Sequence, residues 1–106
     1  MKEKDEENKL KIYIDDDKRI VIEFQDIFTF TVHRQFMNIL KMYPSGNKYI
    51  INLSKVSRMD SAALGMLLVL REHNKCGHKD DIRIISNPET EKVLEIANFG
   101  LLFKID

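Results

Sequence analysis

In this chain of 106 residues, seventeen basic and seventeen acidic side chains cancel, so no overall field recruits nucleic acid or anionic lipid, and recognition must be local. The length suits one modest core without disulfides or metal, and the lone Cys76 cannot form an intramolecular bridge, which points to a reducing compartment. The charged N-terminus lacks the apolar core of a signal peptide, and the apolar stretch 62–70 is far too short to span a bilayer as a helix, so a cytoplasmic protein is expected.

Residues 1–8 form a charge run without apolar periodicity and read as a disordered tail ahead of a single domain over 9–106. Leu10, Ile12 and Ile14 then alternate with Lys11, Tyr13 and Asp15, the period-2 pattern of a half-buried strand. Asp15, Asp16 and Asp17 punctuate it, and Ile20, Ile22 and Phe24 resume the alternation, which predicts a β-hairpin. An acidic cluster after a strand also occurs in receiver domains. Here it joins two short strands instead of leading into a helix, so it reads as a solvated turn.

From Thr29 or Thr31 to Met42, Val32, Phe36, Ile39 and Leu40 fall at helical spacing, with Phe30 and Met37 extending the stripe and Pro44-Ser45-Gly46-Asn47 ending the element. His33 has no second ligand at i+3 or i+4 and reads as a surface residue. The run Tyr49-Ile50-Ile51-Asn52-Leu53 predicts a buried strand, followed by a turn through 54–58 and a helix beginning at Asp60 or Ser61.

That helix runs to about Lys75. Leu64, Leu67, Leu68 and Arg71 lie on one side and Ala62, Gly65, Met66, Val69 and His73 on another, so its first two turns are apolar nearly all round. One face must pack on the sheet, and the small Ala62 and Gly65 beside flexible Met66 are expected on the other. Glycine inside a helix is unfavourable by about 1 kcal/mol relative to alanine, which suggests close approach of another backbone. His73, Cys76 and His78 cluster, but with no second Cys or His pair no metal site is expected, and Gly77 suits a helix C-terminus. A strand over 82–85 follows, then Asn87-Pro88-Glu89 as cap, first-turn proline and first-turn acid of a helix to about Asn98 that buries Val93, Leu94 and Ala97. Phe99-Gly100 ends it, and Leu102 to Ile105 makes a last short strand. A hairpin followed by strand-helix alternation predicts an α/β layer with a small mixed, mostly parallel sheet. No Gly-rich phosphate loop and no acid or nucleophile constellation assembles an enzyme.

Asp60-Ser61-Ala62-Ala63-Leu64-Gly65 resembles the Asp-Ser-Ser/Thr-Gly-Leu-Gly signature of STAS domains, in particular the bacterial anti-sigma-factor antagonists. The strands at Ile50 and Ile82 and the run from Val93 to Phe103 extend the similarity over most of the chain. The run Met59 to Leu68, continuing into Arg71-Glu72-His73, is most similar to a branch tied to motility and biofilm control. Departures are Ala62 and Ala63, where the family often has a hydroxyl residue and a glycine, and Asp26 to Thr29, where it usually has Gly-Glu-Leu-Asp.

The resemblance implies a STAS-like fold with helices mainly on one side of the sheet, and a phosphorylated serine that maps onto Ser61. It also implies a non-enzymatic module with no cofactor, monomeric when free, that docks an anti-sigma factor or kinase-phosphatase regulator through Arg58, Asp60, Ser61, Ala62, Gly65 and Met66. A serine kinase and a serine phosphatase, or one bifunctional regulator, would switch it, with neither nucleic acid nor membrane bound directly. Alternative expectations are a STAS domain that holds a small anion or nucleotide at the helix start, or a subunit of a sensory assembly.

Overall fold

The computed structural model describes residues 10–75 and 77–106, so the expected tail over 1–8 and Cys76 lie outside the described residues. Strands β1 (Leu10–Ile14) and β2 (Ile20–Phe24) form the expected antiparallel hairpin, with Ile12 opposite Ile22. Its acidic turn is organised by one side chain: Asp15 Oδ1 accepts from the Asp17 and Arg19 amides at 3.0 and 2.8 Å, and Oδ2 accepts from Arg19 Nε at 2.9 Å.

Parallel strands β4 (Tyr49–Asn52), β6 (Ile82–Ile85) and β7 (Lys104–Ile105) extend this hairpin into a five-stranded sheet of order β1-β2-β4-β6-β7. Tyr49, Ile51, Ile82 and Ile84 are buried while Ile50, Asn52, Arg83 and Ile85 are partly open, so one face carries the core and the helices lie mainly on that side. The last strand is shorter than expected because buried Phe103 still belongs to the turn that follows the 3-10 segment Phe99–Leu101.

One element departs from the sequence reading. The stretch read as a turn through 54–58 contains a strand, β5 (Val56–Met59), which pairs in parallel with β3 (Asp26–Phe28) to make a separate two-stranded sheet. Neither segment is long enough to show a period. What stabilises them is the pairing of two connections distant in sequence, the burial of Val56 and Phe28, and stacking of Phe28 on Phe24 with ring centroids 4.0 Å apart.

Helix α1 (His33–Met42) is preceded by a 3-10 turn (Phe30–Val32) capped by Thr29, whose hydroxyl accepts from the Thr31 amide. Phe36, Ile39 and Leu40 enter the core as expected, but Phe30 does not: it sits in the 3-10 turn, out of phase with the helix, and is 68% exposed. Helix α2 (Ser61–Asn74) ends one residue before the expected Lys75, and Lys75 itself takes the left-handed capping conformation, so Gly77, read as the helix C-terminal residue, lies past the cap and has no positive φ. Buried Asn74 makes that end specific: its Oδ1 accepts from the Gly46 and Asn47 amides and its Nδ2 donates to the Asn47 carbonyl, joining α2 to the loop after α1.

Helix α3 (Pro88–Ile96) opens on Asn87 in a capping box with Thr90. The Asn87 side-chain Nδ2 also donates to the carbonyls of Leu53, Ser54 and Val56, binding the helix start to the connection that leads into β5. The helix stops at Ile96 rather than Asn98, which is left-handed. Leu94 is fully buried, while Val93 and Ala97 are half-buried, less than expected.

Candidate functional site

The parallel strands deliver their connections to one edge of the sheet, and α2 starts there. Asp60 has extended backbone geometry, as an N-cap requires, and its Oδ1 accepts from the Ala63 amide at 3.0 Å. Its other oxygen accepts from the Phe30 amide at 3.2 Å, and its own N–H donates to the Phe28 carbonyl. One carboxylate therefore caps α2 and holds the 3-10 turn ahead of α1 beside it, an arrangement that the cap pattern alone did not reveal.

Ser61 is the first helical residue and is exposed, and its hydroxyl makes no hydrogen bond to a described residue. The Ser61 residue is accessible to solvent, and it stands at the end of the helix where first-turn amides lack intrahelical acceptors, although the Ala63 amide is already taken by Asp60. Like charge on Asp60 is one residue away.

Beyond Ser61 the buried stripe of α2 is Ala63, Met66, Leu67, Leu70 and Asn74, in steps of three and four. Met66 is 2% exposed, so its expected place beside Gly65 on the outer face is corrected: it packs in the core. Leu68, expected to point inward with Leu67, is instead 43% exposed and stands with Val69 at 44% on the outer face. A helix end that is apolar all round carries no directional signal, and the sheet chose which side it would bury.

Ala62 is half-buried and Gly65 exposed. Beyond its chain neighbours and its own helix backbone, a Cβ built on Gly65 would meet no heavy atom within 4 Å, so packing against other elements does not require glycine there. The outward surface of α2 thus runs from Ser61 through bare backbone at Gly65 to Leu68 and Val69.

Arg58 is exposed on β5, opposite Ile27, and with Ser57 and Met59 lines a cleft of about 190 Å³ against Glu89, Thr90 and Val93 of α3. His73 is engaged in packing, its Nε2 lying 2.9 Å from the Tyr43 carbonyl. Sequence reasoning missed exposed Phe30, which shares a surface concavity with Thr31, His33, Arg34, Gln35 and Asn38. Its only signal was the Thr29-Phe30-Thr31 sequence that favours a turn over a helix.

No protein-family model matches the chain. A STAS-domain containing protein of Pseudomonas aeruginosa (strain UCBPP-PA14) is 36% identical over 92 residues, covering 85% of this chain and 90% of that relative. The crystal structure of an uncharacterized protein of Shewanella loihica with a SpoIIAA-like fold matches with a TM-score of 0.55 at 14% identity, covering 92% of this chain and 82% of that one, a likeness of fold. Among the described residues no helix is long and apolar enough to cross a membrane. The relative is matched across nearly its whole length, and the hairpin, mostly parallel sheet and helix headed by Asp60 and Ser61 stand where the resemblance puts them: the chain belongs to the STAS-domain family.

Proposed function

We propose that this protein is a regulatory binding module of the anti-sigma-factor-antagonist type. Unmodified, it docks an anti-sigma factor or related kinase-phosphatase regulator through the outward face of α2, and phosphorylation of Ser61 releases the partner. The observation that carries the reading is the exposed Ser61 hydroxyl at the head of a helix whose outer face is small and apolar, with Gly65, Leu68 and Val69 open to solvent. The fold shared with a SpoIIAA-like protein supports it.

The switch is electrostatic. Phosphoserine adds about −1.5 to −2 charge at pH 7, beside Asp60 and above an apolar strip, so a partner that covers this face must desolvate a dianion. The first-turn amides of α2 stabilise that dianion in the free protein and do nothing for the complex. Ala62 and Gly65 let a partner backbone come close. Arg58 faces the α3 cleft with Glu89 and contributes to the edge of the interface rather than its centre.

The test is binding of the purified regulator to wild type, Ser61→Ala and Ser61→Asp, together with a phosphopeptide map after kinase treatment. Ser61→Ala binds constitutively and Ser61→Asp is released. Phosphate found only on Ser54 or Ser57 removes the assignment, and tighter association of the phosphorylated form reverses the mechanism.

A further inference from the structure

The ion pairs among the described residues gather at one end of the sheet. The four ion pairs among the described residues use Arg19, Lys48 and Arg83, which stand at or beside the starts of β2, β4 and β6. At the opposite edge, where Ser61 lies, Arg34, Lys55 and Arg58 are exposed and none has an acid within ion-pair distance among the described residues. The acids nearby are otherwise engaged: Asp60 accepts from two backbone amides, Asp26 accepts from the Ser57 hydroxyl, and Glu89 lies in the first turn of α3, where the helix dipole favours it.

Arg34 is the least expected of these cations. It sits with His33 in the first turn of α1, the positive end of the helix dipole, with no acid in that turn and no side-chain cap. The fold gains nothing from that charge. Next to it is Phe30, 68% exposed, whose amide is held by Asp60 and whose ring shares with Arg34, Gln35 and Asn38 a concavity of about 550 Å³. An exposed aromatic with an unpaired arginine beside it has the composition of an interface anchor.

We propose that the docking face extends from Ser61 across Asp60 to Phe30 and Arg34, and that it takes an acidic segment of a partner protein, an apolar side chain of which packs on Phe30 while its carboxylates meet Arg34 and Lys55. This rests on the regulatory reading above and gives the release mechanism its second half. Phosphate at Ser61 repels a partner that is itself negative, in addition to being costly to bury. The chain carries no net charge, so the attraction is confined to this edge.

The probe is a fluorescein-labelled amphipathic peptide with leucines on one helical face and glutamates elsewhere, titrated with the full chain by fluorescence anisotropy. A lysine version of the peptide and a single-stranded oligonucleotide serve as the other arms. The glutamate peptide binds, the lysine version at least about tenfold more weakly, and Phe30→Ala and Arg34→Glu each weaken the complex about tenfold, with Arg34→Glu melting no lower than wild type. Amide shifts on binding fall on residues 30–38, and Ile96→Ala, on exposed α3, changes nothing.

Equal binding of the lysine peptide, tighter binding of the oligonucleotide, no detectable binding of the glutamate peptide, or indifference to Arg34→Glu overturns the proposal. Ser61→Asp separates the two readings. If it still binds the glutamate peptide as wild type does, the acidic docking face stands and the phosphoswitch fails. If Ser61→Asp abolishes binding that Arg34→Glu leaves intact, the switch stands and the acidic partner fails.

Discussion

Gly65 separates what the fold needs from what a partner needs. It lies in the second turn of the 14-residue helix α2, is exposed, has no positive φ, and would place a Cβ within 4 Å of nothing beyond its chain neighbours and its own helix backbone. Replacing it with alanine removes no contact and creates no clash, so only the helix-propensity and unfolded-chain terms remain. Together these stabilise the fold by about 1 kcal/mol. For a domain of about 100 residues that is a rise in Tm of about 4–8 °C.

Thermal unfolding followed by circular dichroism measures the first half of the prediction. The second half is read by titrating the regulator: Gly65→Leu melts no lower than wild type yet binds at least about tenfold more weakly, because its side chain holds the partner backbone away from α2. A drop in Tm for Gly65→Ala would show a close approach inside the molecule and refute the packing argument. Wild-type affinity for Gly65→Leu would remove α2's outer face from the interface.

Asp60→Ala loses the cap on Ala63 and the acceptor for the Phe30 amide, and costs about 2–3 kcal/mol in urea unfolding; a loss below about 0.5 kcal/mol would show that the two bonds are not formed in solution. Met66→Ala empties a buried site and destabilises by about 2–5 kcal/mol while leaving the affinity of the surviving folded protein unchanged, the reverse of Gly65→Leu. A Met66→Ala protein that melts normally but fails to bind would return Met66 to the surface.

In acid, Asp15 and Asp81 titrate below their ordinary value of 3.8, the first held down chiefly by the Arg19 backbone amide and the second by its hydrogen bond from Lys48. Carboxyls depressed in the folded state stabilise it above the unfolded value. That contribution disappears as pH falls through 3.8 toward the folded values, where the unfolded chain binds more protons. Urea midpoints should therefore fall below about pH 4, and less steeply in Lys48→Gln; a midpoint that rises toward acid contradicts the sign.

Local chemistry made much of this protein legible. The alternation of Ile12 and Ile22, the apolar run at Ile50, and the caps at Asp60 and Asn87 each depend on residues within a few positions of one another, and each element formed where its pattern lies. Ser61 at a helix head follows from the same kind of signal. What the chain could not declare alone depended on partners distant in sequence. The pairing of β3 with β5 joins two connections too short to show a period, and it is completed by Asn87 donating to three carbonyls from another part of the chain. The first turns of α2 are apolar on every side, so burying Met66 and exposing Leu68 was decided by the sheet beneath. Phe30 left the core because a 3-10 turn put it out of phase with α1, and Asp60 holds that turn in place from thirty residues away. Caps and periods are short-range and written locally. The side a uniformly apolar helix buries, and the turn a carboxylate ties down, are settled only when elements remote in sequence compete for the same core.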